Sequence, residues 1–305
     1  MGELNKEYPY ALQTTSSRLF ELKWCVNLGS VSANRYAGGI VGIHYNNNYD
    51  YVGNENDYLT SSNPDIVFSY CMNGGKITAE GVDNSVGGVF KDKSGVGGIV
   101  GFTGSYAGIM NCANHGEIYG VGRFHGVGGI AGSAGEDSAL AGSLNRFRNV
   151  DVKQCMNSTT VSSGQKDTYV GGVIGYLEEG NKSDVNDCYN TGDVPCKQSH
   201  DSGGIIGTVD HLTNIYRCVN RGMVSHGNAT IGTHKTGSLF DHGSLYYLEG
   251  TGKNWPSATK VSKADFTKES SFGGLDFTNN WVMTADGPEL RSCPWQNPQL
   301  AKPSK

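Results

Sequence analysis

One short phrase recurs six times in this chain and limits what the chain can fold into. Each copy has a cysteine, an asparagine two residues later, and a valine or isoleucine six residues later. The paired positions are Cys25 and Asn27, Cys71 and Asn73, Cys112 and Asn114, Cys155 and Asn157, Cys188 and Asn190, and Cys218 and Asn220. Glycine lies four residues after each cysteine, except in the fourth copy, where Thr159 replaces it. A second phrase, Gly-Gly followed by two apolar residues and Gly, accompanies five copies, at 38–42, 97–101, 128–132, 171–175 and 203–207.

This self-similarity predicts a repeat architecture in which each unit buries its apolar face against the next. The segments are rich in Gly, Val, Ile, Asn and Thr. Each glycine would cost a helix about 1 kcal/mol relative to alanine, whereas short β-branched runs broken by Gly and Asn are typical of strands and turns. We therefore predict an all-β fold: a parallel β-helix, or β-solenoid, of about six to seven coils with a C-terminal aromatic cap.

Stacked coils would give each repeated position a physical role. Cysteine is a small apolar residue that is often buried, so the six cysteines should form an inward column of free thiols. Stacked asparagines can pass amide hydrogen bonds from coil to coil. The glycine after the asparagine suits a turn with positive φ, and a different backbone is expected at Thr159. The double glycine suits close approach between coils or a tight corner. Cys196 and Cys293 lie outside the pattern.

Together the two phrases resemble the GLUG-type repeat of bacterial surface proteins, including repeat regions found beside some immunoglobulin A peptidases. The resemblance covers about residues 22–232. It implies a secreted or surface-displayed bacterial protein built on a parallel β-helix. The peptidase itself would need a zinc motif, and the sequence contains no H-E-x-x-H. The resemblance therefore does not extend to the peptidase activity.

The extent of the repeats predicts three segments. Residues 1–21 form an N-terminal lead-in that covers the open end of the stack, residues 22–239 form the solenoid, and residues 240–305 form a capping segment and tail. Insertions into the solenoid are predicted near 44–63, 79–95 and 133–149. The last segment contains Trp255, Trp281 and Trp295, whose rings we expect to bury the last coil.

Composition excludes several classes of partner. The formal net charge is −5 and the Lys and Arg residues do not cluster, so no nucleic acid or anionic membrane surface is expected as a partner. No apolar run approaches the roughly 20 residues of a transmembrane helix, so we expect no membrane insertion by this fragment. The N-terminus, Met1-Gly2-Glu3, lacks the apolar core of a signal peptide, which predicts that the export signal and any anchor lie outside this fragment. The histidines and cysteines lack metal-ligand spacing, and we expect no metal or cofactor.

The polar insertion at 44–63 is the strongest candidate for a binding site. Its candidate binding residues are Tyr45, Tyr49, Asp50, Tyr51 and Tyr58. Tyrosines in polar loops supply contact area together with a hydrogen-bonding tip. Asp50, Glu55 and Asp57 could also supply oxygen ligands for calcium, although the segment does not match the D-x-[DN]-x-[DN]-G loop. A solvated insertion without a ligand is the alternative.

A catalytic role must also be weighed, because parallel β-helices carry polysaccharide lyases and glycoside hydrolases. The carboxylate pairs are Glu136 with Asp137, Glu178 with Glu179, and Asp184 with Asp187. Glycoside hydrolysis needs two carboxylates held roughly 5–9 Å apart, whereas adjacent residues on a strand point to opposite faces. His200-Asp201 and Asp210-His211 flank one Gly-Gly phrase but match no catalytic pattern. Acidic residues at corners commonly serve solubility, and no catalytic residue is predicted.

The leading functional hypothesis is a non-enzymatic surface binding or adhesion module. In it, the solenoid presents loops to a host protein, such as an immunoglobulin or a mucin-type glycoprotein, or to a glycan. The alternatives are a carbohydrate-active enzyme on a β-helix and a purely structural stalk. A cleft lined with converging acidic and basic side chains would favour the enzyme.

Overall fold

The structure is a computed structural model that describes most of the repeat region and the segment after it. The described residues are 12–13, 20–45, 66–81, 94–104, 107–122, 124–135, 150–165, 168–177, 183–196, 201–210, 213–235 and 240–291. Most of each predicted insertion and the tail after Arg291 lie outside these ranges.

The described residues form four columns of short parallel strands and one antiparallel hairpin. The cysteine sheet contains β2 (Phe20–Lys23), β3 (Val26–Asn27), β7 (Ile66–Ser69), β8 (Met72–Asn73), β12 (Ala107–Met110), β13 (Ala113–Asn114), β17 (Val150–Lys153), β18 (Met156–Asn157), β22 (Ser183–Asn186), β23 (Tyr189–Asn190), β26 (Thr213–Asn220), β28 (Phe240–Leu248) and β29 (Thr259–Val261). The turn sheet contains β4 (Val31–Ala33), β9 (Ile77–Ala79), β14 (Ile118–Gly120) and β19 (Val161–Ser163).

The other two columns flank the Gly-Gly phrase. The first arch sheet contains β5 (Tyr36–Gly38), β10 (Gly95–Gly97), β15 (Gly126–Gly128), β20 (Tyr169–Gly171) and β24 (Ser202–Gly203). The second arch sheet contains β1 (Leu12–Gln13), β6 (Val41–Tyr45), β11 (Val100–Thr103), β16 (Ala131–Ala134), β21 (Ile174–Leu177), β25 (Ile206–Val209) and β27 (Ile231–His234). A 3₁₀ turn (Glu269–Ser271) precedes the hairpin of β30 (Trp281–Thr284) and β31 (Gly287–Leu290).

The predicted parallel β-helix is confirmed. Equivalent residues of successive repeats pair in parallel and in register, as Phe68 does with Ile109 and Ile109 with Val152. The second arch sheet is seven strands deep, in agreement with the predicted six to seven coils. The short β-branched strands stack in this way because no single coil can bury its apolar side chains alone.

Cysteines of the repeat line the interior as a column of free thiols. Cys71, Cys112, Cys155, Cys188 and Cys218 have no exposed surface. Cys25 departs from the expected burial and is partly exposed, because in the described structure no coil lies on its N-terminal side. Each of the five fully buried thiols also contacts a carbonyl of the preceding coil, as Cys155 Sγ does with Ile109 O at 3.3 Å. Cys196 is likewise buried and free, and Cys293 lies outside the described residues.

Asparagines of the repeat form a continuous ladder along the stack. Five amide-to-amide hydrogen bonds of 2.7–2.8 Å connect Asn27, Asn73, Asn114, Asn157, Asn190 and Asn220 in sequence. Each Nδ2 also donates to the carbonyl two residues later. In five copies the N–H of that residue donates back to Oδ1. The fourth copy lacks this second bond at Thr159, so its turn does differ locally, as expected.

The prediction of positive φ at the glycine after the asparagine is wrong. The described glycines with positive φ are Gly81, Gly135, Gly250 and Gly287. Glycine is needed in the repeat for space instead, since a Cβ on Gly116 would lie only 1.9 Å from Gly75 O in the preceding coil.

Positive φ falls instead on the residue just before each repeat cysteine. Values of 54–58° occur at Trp24, Tyr70, Asn111, Gln154, Asp187 and Arg217, and Ser244 follows in the last layer. This conformation costs a non-glycine residue about 1–2 kcal/mol. At the bend the N–H donates to the following coil, as Tyr70 N does to Met110 O at 3.1 Å, which offsets part of that cost.

The C-terminal segment does more than close the last coil. β28 and β29 continue the cysteine sheet, and Trp255 packs against the end of the interior core, as predicted. Trp281 lies elsewhere, on the outer flank of the cysteine sheet, where it is fully buried. Its ring packs edge-on against the ring of Tyr189, with centroids 6.0 Å apart. Its Nε1 donates to Asp187 Oδ1 at 2.9 Å. The segment is therefore a strap over the flank as well as an end cap.

The repeat explains why the C-terminal segment covers this flank. The residue one position after each cysteine is apolar and points out of the core. Met72, Ala113, Met156, Tyr189 and Val219 form that outer column and are all buried. The strap supplies Phe266, Phe272 and Trp281 to the same apolar cluster, which removes the column from water.

Candidate functional site

Each coil folds back on itself through an arch made of one strand from each arch sheet. In the fourth coil, β20 ends at Gly171 and β21 begins at Ile174. The far ends of the two strands lie side by side, and the rings of Tyr169 and Tyr176 stack there with centroids 4.8 Å apart. We call this end the arch mouth: the starts of the first-arch strands and the ends of the second-arch strands.

All three predicted insertions connect to the arch mouth. Residues 46–65 follow the end of β6, residues 136–149 follow Gly135 at the end of β16, and residues 82–93 precede Ser94 at the start of β10. Tyr45 is the last residue of β6. The other candidate binding residues, Tyr49, Asp50, Tyr51 and Tyr58, lie outside the described residues. The structure therefore locates where the candidate loop begins, and the binding roles stay a prediction.

Aromatic side chains occupy the described part of the mouth. The ring centroids of Tyr36 and Phe102 are 5.8 Å apart. His125 stacks on Tyr176 with ring centroids 5.2 Å apart. Phe102 and Tyr176 hold the same register position, since both pair with Ser133 between them. The serine separates the two rings, so the described aromatic side chains form two groups along the mouth, one around Phe102 and one around Tyr176.

A charged group joins three coils at the mouth. Tyr176 is nearly fully buried, and its hydroxyl donates to Asp210 Oδ2 at 2.6 Å. Lys235 Nζ donates to Tyr176 Oη at 2.7 Å and also forms an ion pair with Asp210. The lysine side chain is about half exposed, which leaves the ammonium accessible from solvent at the rim of the mouth. Such a fixed ammonium can donate hydrogen bonds to a polar ligand.

Sequence reasoning missed this group because its members are far apart in the chain. Tyr176 is 34 residues from Asp210, and Lys235 is 25 residues from Asp210. The signal that could have found it is the register of the arches, because Asp210 and Lys235 each immediately follow a second-arch strand. Parallel stacking places such equivalent positions next to each other.

His44 is a second buried polar group near the mouth. It has no exposed surface, and its Nδ1 lies 3.0 Å from Thr103 Oγ1. Burial lowers the pKa of His44 from 6.5 to about 3, because a charged imidazolium would lose its hydration. The side chain is therefore neutral at physiological pH.

Stability is expected to fall as the pH is lowered below about 6.5. The unfolded chain binds a proton at His44 there while the native chain does not, so unfolding is favoured by about 1.4 kcal/mol per pH unit until the native pKa is reached. Urea unfolding at pH 7 and at pH 5 should differ by about 2 kcal/mol from this residue. His44→Gln should reduce the difference, and an unchanged pH dependence would contradict it. His242, whose pKa burial also lowers, contributes with the same sign, so the variant retains some of the slope.

Of the three carboxylate pairs in the sequence, only Asp184 with Asp187 lies within the described residues, and other side chains bind both carboxylates. Both carboxylate oxygens of Asp187 accept from Arg217 Nε, at 3.0 and 3.1 Å. Oδ1 also accepts from Trp281 Nε1. Asp184 accepts a hydrogen bond from Asn214 Nδ2 at 2.7 Å. Glu136, Asp137, Glu178, Glu179, His200 and His211 lie outside the described residues. Within the described ranges, no three His, Cys, Asp or Glu side chains are placed to hold a metal ion.

The repeat thiols are poor nucleophiles. Burial raises the pKa of Cys112 and Cys188, and a hydrogen bond with the Cys112 thiol together with burial raises that of Cys71. A reactive cysteine instead needs a lowered pKa and access to solvent.

Thiol labelling in native buffer is therefore expected to be slow at the repeat cysteines, with Cys25 reacting first because it alone is partly exposed. Unfolding in denaturant should release all of them. Time-resolved labelling with peptide mass mapping measures the order. Fast native labelling of Cys112 or Cys155, or a disulfide between repeat cysteines in the intact mass, would contradict the buried column.

Comparisons with known proteins agree with this architecture. Residues 167–194 match the family model of the GLUG motif, which confirms the resemblance to GLUG-type repeats. The chain also matches a solved structure described as a "putative immunoglobulin A1 protease from Bacteroides ovatus", with a TM-score of 0.50 and 17% identity over 95% of this chain and 80% of that one. At this identity the likeness shows the fold alone. A search of curated proteins found no match. Across the residues described, no helix is both long and apolar enough to span a membrane.

Proposed function

Because the chain carries GLUG repeats on a parallel β-helix, we propose that it is a non-enzymatic binding or adhesion module of a secreted or surface-displayed bacterial protein. The stack would present loops to a host protein, such as an immunoglobulin or a mucin-type glycoprotein, or to a glycan. One observation carries the proposal: all three insertions connect to the same end of the arches, the arch mouth. Binding residues are found disproportionately on loops held by rigid scaffolds.

The chemistry of the mouth supports recognition of a polar ligand. The 44–63 insertion contributes tyrosines and acidic residues, with Tyr45, Tyr49, Asp50, Tyr51 and Tyr58 as the candidate contacts. The rim adds the half-exposed ammonium of Lys235, held by Asp210 and Tyr176. The inward side chains of the coils, by contrast, are committed to packing.

A loop deletion tests this proposal. Residues 46–57 are replaced by a short Gly linker, and the variant is compared with the parent on an array of glycans and host glycoproteins. We expect at least a tenfold loss of affinity with unchanged unfolding, since the deletion begins after β6 ends at Tyr45 and removes no described strand. Lys76→Ala, one residue before β9 of the turn sheet, removes an exposed ion pair with Glu117. It is the control and should bind normally.

Two outcomes would contradict the proposal. Full affinity after the deletion, combined with loss of affinity in a folded Trp255 variant, would place the site at the C-terminal end. Release of shortened products from a bound glycan would show that the module is an enzyme.

A further inference from the structure

One asparagine of the ladder, Asn73, is followed by glycine. The residues after the other five are Leu28, His115, Ser158, Thr191 and Arg221. Asn73-Gly74 is also the only Asn-Gly pair in the sequence. Because glycine has no side chain to obstruct its own backbone nitrogen, this nitrogen can attack the side-chain amide of the preceding asparagine. The ladder therefore includes an amide that is chemically labile in an unfolded chain.

The reaction at such a pair is deamidation. The backbone nitrogen of Gly74 forms a bond with Cγ of Asn73, the bond from Cγ to Nδ2 breaks, and the proton of the Gly74 N–H leaves with Nδ2 as ammonia. Water then adds to one carbonyl of the resulting succinimide ring and breaks its bond to nitrogen, which restores an N–H. Opening at one carbonyl gives aspartate, and opening at the other gives isoaspartate, in which the backbone runs through the former side chain.

The folded stack holds both reacting groups away from this path. Gly74 N donates to Asn27 O in the preceding coil at 2.7 Å. Nδ2 of Asn73 donates to Gly75 O at 2.8 Å and to Asn114 Oδ1 at 2.7 Å. Its Oδ1 accepts from Asn27 Nδ2 at 2.7 Å and from Gly75 N at 3.2 Å. Asn73 has no exposed surface, so the attack requires that the coils carrying Cys25 and Cys71 first open locally.

The product cannot replace the amide in the ladder. An ionised carboxylate only accepts hydrogen bonds, whereas Gly75 O and Asn114 Oδ1 each receive a hydrogen from Nδ2 of Asn73 in the native turn. The carboxylate would face these two acceptors in a site without exposed surface, and burial of an unpaired charge is costly. Isoaspartate would in addition lengthen the backbone by one methylene group and displace the turn at Gly75.

We propose that Asn73-Gly74 is a covalent modification site that makes opening of the first two coils irreversible. The native ladder protects the pair, and a chain that stays open deamidates and cannot rebuild the bonds of Asn73. Chemical modification of an opened state that outpaces refolding makes the operational stability a rate. The candidate binding loop at 44–63 lies between these two coils in the sequence, so the damage would fall on its scaffold. The inference goes beyond the binding function above and does not depend on it.

Ageing the full chain in the folded and in the unfolded state tests the proposal. The chain is held at mildly alkaline pH with and without guanidinium chloride, and peptide mass mapping follows deamidation at Asn73. We expect the reaction to be at least tenfold faster in denaturant. Asn27→Ala removes a hydrogen bond to Oδ1 of Asn73 and should raise the rate in native buffer about fivefold, the factor that corresponds to about 1 kcal/mol.

Gly74→Ala is the matched control, because a side chain at this position obstructs the attack. A Cβ there would lie 3.1 Å from Leu28 Cδ2, and Leu28 is 66% exposed, so the tip of the leucine has room to move. After ageing in denaturant and refolding, the parent should fail to regain slow thiol labelling at Cys71, whereas the control should regain it. Within the aged parent sample, chains that are unmodified at Asn73 should refold and modified chains should not, a comparison that needs no variant.

Three results would overturn the proposal. The first is deamidation at Asn73 that is as fast in the folded chain as in denaturant. The second is a native rate that Asn27→Ala leaves unchanged. The third is a parent chain deamidated at Asn73 that regains slow labelling of Cys71 after refolding, since the product would then fit the ladder.

Discussion

Replacing Asn114 with alanine is expected to lower the free energy of unfolding by about 3–5 kcal/mol. Asn114 is fully buried, and its amide takes part in four hydrogen bonds. It donates to Gly116 O at 2.9 Å and to Asn157 Oδ1 at 2.7 Å, and it accepts from Asn73 Nδ2 at 2.7 Å and from Gly116 N at 3.3 Å. Alanine removes all four and leaves polar groups of two neighbouring coils buried without those partners.

The cost is large because the ladder crosses the stack in a low-dielectric interior. A buried polar group that loses its partner pays the full penalty of desolvation, which exceeds the net gain from an ordinary hydrogen bond. Asn73 and Asn157 would each keep bonds within their own turn, which limits the loss. The native amide is tightly enclosed, because a Cβ on Gly98 would lie only 2.5 Å from Asn114 Cγ.

Asn27→Ala is the matched control for the ladder. Asn27 lies at the first position, is partly exposed, and makes its inter-coil bond on one side only in the described structure. Its replacement should cost about 1 kcal/mol, the net value of a typical hydrogen bond. Urea denaturation with the two variants side by side measures the difference. Equal losses at the two positions would show that burial along the ladder does not set its strength.

Gly129→Ala is expected to be strongly destabilising, with a loss of at least about 3 kcal/mol or no soluble protein. A Cβ at this position would lie 2.2 Å from Gly172 O and 2.5 Å from Asn157 Cγ. Both contacts are far inside van der Waals distance, and the first is with the backbone of the next coil. The coils would have to separate at the arch corner, which would also break the ladder at Asn157.

Gly273→Ala provides the control for this prediction. A Cβ at Gly273 would meet no atom within 4 Å, and the residue does not have positive φ. The change should be neutral, or stabilising by up to about 1 kcal/mol through the lower entropy of the unfolded chain. Soluble yield and thermal unfolding of both variants give the comparison. A Gly129→Ala protein as stable as the Gly273→Ala protein would contradict the close approach of the coils.

One copy of the repeat departs from glycine at this turn. Thr159 stands where the other copies have glycine, and a Cβ on Gly192 in the next coil would lie 1.8 Å from Thr159 O. The threonine turn keeps the Asn157 Nδ2 bond to the carbonyl and loses the return bond from its own N–H. The sequence predicted a departure at this residue, but it assigned the wrong cause to the glycines, a positive φ rather than the space between coils.

The repeat by itself determined the fold class, the inward cysteines and the asparagine ladder. These follow from positions that recur at fixed offsets, because stacking in register turns each offset into a column with one environment. The repeat also contains the outer apolar column, at the position after each cysteine. A periodic pattern does not indicate which segment covers that column. Tertiary structure alone decided that Trp281 lies on that flank, that Tyr176, Asp210 and Lys235 meet at the arch mouth, and that the bend before each cysteine has positive φ. The first two depend on contacts between residues from different coils or from the non-repeating segment, and such contacts have no period in the sequence. The bend recurs in every repeat, but six different residue types occupy it, so no shared residue type marks it in the sequence.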